Sequence, residues 1–362
     1  MTAQRPTAIH QFVAGFSNGD AISNESRVLR GCFREWGFQS EIFCETKRIL
    51  PELRQDAHDV STCNPGPSDV VLLHLSIGSP VNEAFRALPC RKTLLYHNVT
   101  PPEYFRAINP QTADSLARGR DQVKALAGVA EINLADSHFN AQELEAFGYT
   151  DVHVLPLVLD LDRLVGAPDR RVKRQFGDGR TNILFVGRCV ANKCIEDLIG
   201  TIAVYTKTVD SNARLIQVGS YAGSEPYYAF LLARCRELGL DAEVHLAGSV
   251  PQAKLNAYYE VANVFLSMSA HEGFCIPLLE AMVHDLPVIA HGTAAVPETL
   301  DGAGVVFKEK NFELVAETIG RVVSDAALRN AIIAGQRERL DRYRGRDLES
   351  ELRQHLEPFL SA

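Results

Sequence analysis

Short apolar runs of strand length alternate with longer segments of helical periodicity along almost the whole chain. This alternation is typical of parallel sheets whose strands are joined by crossover helices, so the sequence predicts an α/β protein. The best defined helix is predicted over Ile22 to Trp36, because its apolar residues fall on one face and Gly37 follows its end. The first series of predicted strands comprises Ala8 to Val13, Ser40 to Cys44, Val70 to Leu75, Thr93 to His97, Ile132 to Asp136 and Val152 to Leu155. The second series comprises Asn182 to Val186, Leu215 to Val218, Glu243 to Ala247, Val264 to Met268, Pro287 to Ala290 and Gly304 to Phe307.

Two successive series of strands predict two doubly wound domains, each with its own sheet. The length of 362 residues agrees with this number, at roughly 150 residues per domain. Leu159 to Arg180 is rich in charge, Gly and Pro and is the predicted hinge, which gives an N-terminal domain over residues 1–158 and a C-terminal domain over residues 159–362. The tail, Leu328 to Leu360, is predicted as a charged helix broken near Tyr343 to Gly345. Packing of its last part against the N-terminal domain is one predicted arrangement.

Composition narrows the class of protein. The hydrophobic fraction of 46% and the charged fraction of 23% are close to those of an average soluble globular chain, whereas the formal net charge of −8 makes nucleic acid an unexpected partner. The best candidate for a membrane span, Val70 to Ile77, is far shorter than the ~18 apolar residues required. Because the N-terminal segment lacks a long apolar core of a secretory signal, we expect a cytoplasmic protein. The eight cysteines show no CxxC spacing, which agrees with a reducing compartment.

The segment from His271 to Ala290, HEGFCIPLLEAMVHDLPVIA, carries the densest chemical signal. It follows a predicted strand and leads into a predicted helix with Pro277 in its first turn, which is a favoured place for proline. The first backbone N–H groups of a helix have no partner within it and lie at the positive end of the helix dipole. We therefore expect the amides of Gly273, Phe274 and Cys275 to form a site for phosphate or sugar hydroxyls.

Glu272 and Glu280 flank this turn. A carboxylate accepts two hydroxyl hydrogen bonds at once, so two carboxylates suit a ligand that carries several vicinal diols. Either glutamate alone is more simply explained as a residue that favours the helix start or as part of a solvated face. Their combination with the apolar turn GFCIPLL favours a binding site.

Two common kinds of cofactor are not expected. The histidines form no HxH or HExxH pattern, and His271, His284 and His291 are spaced for no familiar metal geometry, so we predict no structural or catalytic metal. The first strand-to-helix loop, AGFSNGDAISNES, is not a GxGxxG motif, which places a nicotinamide-dependent dehydrogenase last among the candidate functions.

The spacing of Glu272 and Glu280 resembles the E-x7-E signature of the retaining glycosyltransferases of family 4. The surrounding words SMSAHEGFCIPLLEAM, LPVIA and VPETL are similar to that family, and so are VGRCVANKCIEDLI, GDAISNES and YHNVTPPEYF, which together spread the resemblance over most of the chain. The resemblance implies a GT-B fold, in which two Rossmann-like domains face each other across a cleft. The family usually has Gly where this chain has Cys194.

Arg188 and Lys193 follow the predicted strand ILFVG, in the segment that resembles the family's phosphate-binding loop. Ligands of open α/β sheets gather at the carboxyl ends of strands. The planar guanidinium and the compact ammonium would together neutralise a diphosphate leaving group. In the same domain we expect Glu280 to bind the ribose diol, Glu272 to hold the sugar, and Ser249 and Val250 to lie beside the base.

In the N-terminal domain the resemblance implies that Gly19 and Asp20 border the donor diphosphate or the acceptor. It also matches His97 to the family's N-domain histidine. His97 ends a predicted strand, and its imidazole could hydrogen-bond a hexose hydroxyl or tune the field at the anomeric carbon. The predicted catalytic set is therefore His97 with Glu272, Arg188 and Lys193.

The predicted function is that of a metal-independent retaining glycosyltransferase that moves a hexose from a nucleotide diphosphate sugar to an acceptor hydroxyl. The sequences of the motifs are most similar to those of enzymes of bacterial polysaccharide or lipopolysaccharide assembly. Because several of these enzymes use GDP-mannose, the resemblance favours mannose as the transferred hexose. A nucleotide-sugar epimerase or phosphorylase-like enzyme of the same fold and a non-catalytic sugar-nucleotide binding subunit stay open as alternatives. The acceptor is a glycan, a lipid-linked compound or a small molecule, and the sequence does not distinguish these. Membrane contact is expected to be at most peripheral, at the inner face, through the predicted helix Ala113 to Val129.

Overall fold

The computed structural model describes residues 6–361, apart from the side chains at positions 162 and 163. The chain divides into two compact units, each built around its own parallel sheet. The first unit contains the described residues up to Pro102, together with Gln111–Asp160 and residues 347–361. The second contains Glu103–Pro110 and Leu161–Arg346.

In the first unit, seven strands of the described chain form a sheet in the order β3-β2-β1-β4-β5-β6-β7, and all neighbours are parallel. Buried parallel strands are apolar on both faces, and the central strand β4 accordingly has no exposed residue. The bounds of the strands are Ile9–Val13 (β1), Ile42–Cys44 (β2), His58–Asp59 (β3), Val70–Leu75 (β4), Arg91–Tyr96 (β5), Ile132–Ala135 (β6) and Val152–Val154 (β7).

In the second unit, six strands are arranged in the order β10-β9-β8-β11-β12-β13, again with parallel neighbours. The order places the first strand of the unit, β8, in the middle, which is the arrangement of a doubly wound sheet. The bounds are Thr181–Val186 (β8), Ala213–Val218 (β9), Val244–Gly248 (β10), Val264–Ser267 (β11), Val288–His291 (β12) and Val305–Phe307 (β13).

Helices connect the strands throughout. Within the described residues the α-helices are Ala21–Glu35 (α1), Pro80–Ala87 (α2), Pro110–Ala125 (α3), His138–Ala146 (α4), Arg170–Phe176 (α5), Ile195–Thr208 (α6), Glu225–Leu238 (α7), Gln252–Val261 (α8), Ile276–Val283 (α9), Val296–Leu300 (α10), Phe312–Ser324 (α11), Ala326–Gly345 (α12) and Leu348–Leu360 (α13). No helix in this part of the chain has both the length and the apolar character needed to cross a membrane.

The α/β prediction is confirmed, and every predicted strand is present to within about two residues. The two-residue strand β3 at the sheet edge was missed because it is too short for a hydrophobic period. The segment predicted as a hinge contains helix α5. Asp169 starts that helix by accepting hydrogen bonds from the backbone N–H groups of Arg171, at 2.7 Å, and Val172, at 3.0 Å.

The last helix, α13, belongs to the first unit. The indole nitrogen of Trp36 donates to a carboxylate oxygen of Glu349 at 2.7 Å, and Arg91 donates to the backbone oxygen of Phe359 at 3.0 Å. The break before α13 falls at Arg346 and Asp347, three residues beyond the predicted start of the break, because the Asp347 side chain caps the helix.

Candidate functional site

The carboxyl end of β8 continues into a loop that runs beside the loop after β9. The N–H of Gly187 donates to Val218 at 2.9 Å, and the N–H of Cys189 donates to Ser220 at 2.8 Å. Gly219 has a φ of 153°, and a Cβ there would lie 1.9 Å from the carbonyl oxygen of Gly187. Only glycine permits this approach, and it holds the backbone on either side of Arg188 in place.

Arg188 itself is exposed at this edge of the second sheet. Its side chain makes no hydrogen bond or ion pair with any residue that the structure describes. An unpaired guanidinium presents a planar fork of donors, which is suited to the oxygens of a phosphate group.

The next turn is joined to the loop after β11. The buried side chain of Asn192 donates to the backbone oxygen of His271 at 3.1 Å, and the N–H of Ala270 donates to the backbone oxygen of Asn192 at 2.8 Å. Cys194 then begins α6 with a φ of 50°, in the left-handed region where glycine is the usual residue. The family that the sequence resembles usually has glycine at this position, and glycine adopts a left-handed conformation readily. In this chain Cys194 adopts the same conformation.

Lys193 and Glu272 are brought together by these two loops. The ammonium nitrogen of Lys193 lies 2.6 Å from an oxygen of Glu272, with side-chain exposures of 18% and 8%. The thiol of Cys275 is buried near Glu272. Burial, followed by the charge of Glu272, raises the pKa of the thiol well above the usual range. The cysteine is therefore neutral, and the charged pair that joins these two loops is that of Lys193 and Glu272.

The turn before α9 enters the helix through a residue with a left-handed backbone conformation. Cys275 starts the helix with a φ of 76°, and Pro277 lies in its first turn. The Phe274 ring is buried near Tyr343, and the hydroxyl of Thr299 donates to the backbone oxygen of Phe274. The N–H groups of Phe274 and Cys275 donate no hydrogen bond within the described chain. They are backbone donors at the positive end of α9.

Glu280, on α9, is held from one side. The hydroxyl of Tyr259 donates to its Oε2 at 2.6 Å, and the tyrosine ring is stacked on His284 at 4.8 Å. Burial raises the pKa of Glu280, and the hydrogen bond from Tyr259 counteracts part of that increase. Oε1 has no hydrogen-bond partner among the described residues. One oxygen is thus used to orient the carboxylate while the other is available to a hydroxyl.

Ser249 and Val250 follow β10, the edge strand next to β9. The N–H of Gly219 donates to the carbonyl oxygen of Gly248 at 2.9 Å, which ties the end of β10 to the loop that supports Arg188. Ser249 is exposed and Val250 is half-buried. The predicted base-binding residues therefore lie at the same carboxyl edge as the predicted diphosphate-binding residues.

In the first unit the structure places His97 differently from the expectation of a residue that presents its ring to a sugar. Its side chain is 4% exposed, Nε2 lies 3.0 Å from His74 and Nδ1 lies 3.3 Å from Asp136. Burial alone lowers the pKa of His97, but the hydrogen bond with Asp136 and the charge of Glu25 outweigh burial and raise it. Both ring nitrogens are used internally, so a hydrogen bond to a hexose would require the ring to be released. A role for His97 near the sugar stays a prediction.

Gly19 and Asp20 lie in the loop that enters α1. Asp20 caps this helix, and one carboxylate oxygen accepts from the N–H and the hydroxyl of Ser23 at 2.8 and 2.7 Å. The capping role explains the aspartate on structural grounds alone, and its proposed place at the donor or acceptor stays a prediction.

Sequence reasoning missed three buried residues that surround His97, namely Glu25, His74 and Asp136. Burial raises the pKa of Glu25 to about 7. The available signal was that a histidine lies near the carboxyl end of β4 and another directly follows the adjacent parallel strand β5. The partner glutamate could not be found in this way, because it lies inside α1.

Residues 167–339 match the model of the family described as Glycosyl transferases group 1. The chain carries a glycosyl transferases group 1 domain. All the residues of the second unit that were predicted to form a sugar-nucleotide site lie inside this domain.

The GDP-mannose-dependent alpha-(1-6)-phosphatidylinositol monomannoside mannosyltransferase of Mycolicibacterium smegmatis is 28% identical over 205 residues, which is 53% of this chain and 52% of that protein. The chain thus spans about half the length of the first curated relatives it matches.

Solved structures are similar to this chain in fold over nearly its whole length. The sucrose-phosphate synthase of Thermosynechococcus elongatus has a TM-score of 0.75 at 16% identity and covers 99% of this chain and 100% of its own. HepE of Anabaena, in complex with UDP and glucose, has a TM-score of 0.73 at 17% identity, with coverage of 98% and 100%. The predicted GT-B fold, with two Rossmann-like parallel-sheet domains, is confirmed.

Proposed function

We propose that the protein is a retaining glycosyltransferase that transfers a hexose from a nucleotide diphosphate sugar to an acceptor hydroxyl, with its donor site on the second unit. The observation that carries this proposal is the set of charges at one edge of the second sheet. An unpaired Arg188 and the Lys193–Glu272 pair lie in loops that follow strands β8 and β11 of that sheet, in a domain of the matching family.

The chemistry follows from what these groups can stabilise. As the bond from the sugar to the diphosphate breaks, negative charge grows on the leaving oxygen and positive charge grows on the sugar ring. Arg188 and Lys193 stabilise the first charge, and the amides at the start of α9 add donors that need no reorganisation. The carboxylate of Glu272, held by Lys193, faces the second charge.

Retention follows if the acceptor attacks from the face that the diphosphate leaves. In that case the departing phosphate oxygen accepts the proton of the acceptor hydroxyl, and no metal ion is required at the donor site. The free Oε1 of Glu280 is placed to accept a hydrogen bond from a ribose hydroxyl, since Tyr259 fixes the other oxygen. We assign recognition of the base to the segment around Ser249 and Val250.

Mannose from GDP-mannose is the proposed donor sugar, supported by the name of the mycobacterial relative and by the wording of the motifs. A uridine donor is the competing identity, since HepE has the same fold and binds UDP and glucose. We place the reaction in glycan or polysaccharide assembly at the cytoplasmic face of the membrane.

A thermal-shift panel of GDP, UDP, ADP and dTDP with their sugars tests the donor class. A ligand at 100 times its Kd adds about 2.7 kcal/mol to the free energy of unfolding, which is readily seen as a higher Tm. We expect GDP and GDP-mannose to stabilise most. The proposal fails if no nucleoside diphosphate raises the Tm.

A product assay with the stabilising donor separates the competing functions. Transfer that depends on added acceptor supports a transferase, whereas sugar product formed without acceptor indicates an epimerase. Tight binding with no turnover on any acceptor indicates a non-catalytic binding subunit.

A further inference from the structure

Three side chains of the first unit converge in its interior at the carboxyl side of the sheet. Glu25 lies on α1, His74 lies on β4, and His97 is the first residue after β5. Nδ1 of His74 and Nε2 of His97 are 3.0 Å apart, and Oε2 of Glu25 lies 3.7 Å from the first and 3.6 Å from the second. The side chains of Glu25 and His74 are fully buried, and that of His97 is 4% exposed.

The outer nitrogens of both histidines are occupied by acceptors. Nε2 of His74 faces the amide oxygen of Gln11 at 3.0 Å, and the amide nitrogen of the same glutamine donates to Ser26 at 2.9 Å, which fixes its orientation. Nδ1 of His97 faces the carboxylate of Asp136 at 3.3 Å. An acceptor requires a proton on the nitrogen it faces, so a neutral imidazole then has its lone pair on the other nitrogen. When both imidazoles are neutral, the two inner nitrogens therefore direct lone pairs at each other.

Glu25 completes the cluster with an oxygen that nothing else satisfies. Its Oε1 accepts from the N–H of Val158 at 2.9 Å, whereas Oε2 is buried and has no hydrogen-bond partner. A buried carboxylate oxygen without a partner is costly, and two lone pairs at 3.0 Å repel each other. Something positively charged between the three atoms would remove both costs.

We propose that Glu25, His74 and His97 bind a divalent transition-metal ion, with zinc as the best fit, in the interior of the first unit. Ligand bonds of 2.0–2.2 Å in a tetrahedral zinc site separate the donor atoms by about 3.4 Å, and the three observed separations of 3.0, 3.6 and 3.7 Å surround this value. Two imidazoles and a carboxylate are donors that suit zinc. Gln11 and Asp136 supply the outer hydrogen bonds that orient metal-ligating histidines.

This site goes beyond the proposed function and does not depend on it. It would overturn the sequence-based expectation that the protein holds no metal, but it leaves the donor edge of the second unit metal-independent. Its effect would be to join α1, β4 and β5 through one ion, as structural zinc ions do.

Metal content tests the site directly. The full chain is unfolded in the presence of a chelator, refolded with or without Zn²⁺ or Co²⁺, desalted, and measured by elemental analysis and visible absorption. We expect about one equivalent of bound metal, a d–d absorption band of the cobalt form, and a higher Tm of the metal-loaded chain. Glu25→Gln and His74→Gln should weaken metal binding by about tenfold or more.

His355→Gln is the matched control. His355 is stacked on the half-exposed His153 at 4.9 Å, so this variant removes a histidine from a pair that has no buried carboxylate. We expect its metal content and its cobalt spectrum to equal those of the unchanged chain.

A refolded chain that holds no stoichiometric metal would overturn the proposal and would mean that a proton lies between the two nitrogens instead. Metal that stays bound equally tightly in Glu25→Gln and His74→Gln would also overturn it. If either variant does not fold, the cobalt spectrum of the unchanged chain still decides, because absence of imidazole-bound cobalt contradicts the site.

Discussion

Each of the two units gathers charged side chains at the carboxyl edge of a parallel sheet, but the two clusters differ in exposure. The cluster of the second unit contains Arg188, which is exposed and unpaired within the described chain, and the Lys193–Glu272 pair. The cluster of the first unit contains Glu25, His74 and His97, and it is sealed from solvent. The same position in a doubly wound sheet thus carries an exposed, unpaired arginine in one unit and a buried polar network in the other. The exposed cationic side chain of Arg188 has no counterpart in the buried cluster of the first unit.

The largest expected effect is on the ion pair of the second unit. Lys193→Ala leaves the carboxylate of Glu272, which is 8% exposed, without its partner, so we expect a loss of about 3 kcal/mol in the free energy of unfolding. Glu272→Gln should cost less, because the amide oxygen still accepts from Lys193. Denaturant unfolding of both single variants and of the double variant measures the coupling. Independent, additive losses would contradict the pairing.

Arg188 should behave in the opposite way, because it is exposed and has no partner to lose among the described residues. We expect Arg188→Ala to reduce turnover about a hundredfold while the Tm hardly changes. Arg321→Ala, which removes another exposed arginine of the same unit, is the matched control and should retain turnover. Near-normal turnover in Arg188→Ala would remove this residue from the site.

A residue that supports the buried cluster should affect stability and not donor binding. Gln11→Leu removes the acceptor of the His74 N–H and the donor to Ser26, so we expect a loss of about 2 kcal/mol in the free energy of unfolding. The Kd of the nucleoside diphosphate, measured by calorimetry, should be unchanged. A large change in that Kd would show that the two clusters are not functionally separate.

The smallest effect concerns the pH dependence of stability. Burial raises the pKa of Glu280 in the folded chain, so the folded state holds a proton that the unfolded state has released. The free energy of unfolding therefore falls as the pH rises from the ordinary carboxyl pKa through the raised pKa. The loss is ~1.4 kcal/mol for each tenfold by which folding strengthens proton binding to Glu280. Glu280→Gln should lack this loss, whereas Glu317→Gln, at an exposed glutamate of α11, should retain it. Parallel profiles of all three chains from unfolding at several pH values would contradict a buried, proton-binding Glu280.

The strands of both sheets and the segments that carry the charged residues of the second unit were largely predictable. Apolar runs such as Val70–Leu75 are visible in the sequence because buried parallel strands are apolar on both faces. Arg188, Lys193 and Glu272 were predicted because each follows such a run, and the carboxyl ends of neighbouring strands meet at one edge. The short strand β3 and helix α5 were not predicted, since two to seven residues contain too little periodicity to detect.

The sequence by itself determined the two sheets, the glycosyltransferase motifs and the segments that carry the charged residues, because these depend on local pattern and on spacing along the chain. Only the tertiary structure decided which side chains meet. Lys193 and Glu272 are 79 residues apart in the chain, and their side chains are 2.6 Å apart in space. Glu25, on helix α1, lies within 3.7 Å of His74 and His97 from two other segments. The physical reason is that burial and pairing are set by packing between distant segments, and these decide whether a charge is available to a ligand or is satisfied inside the protein.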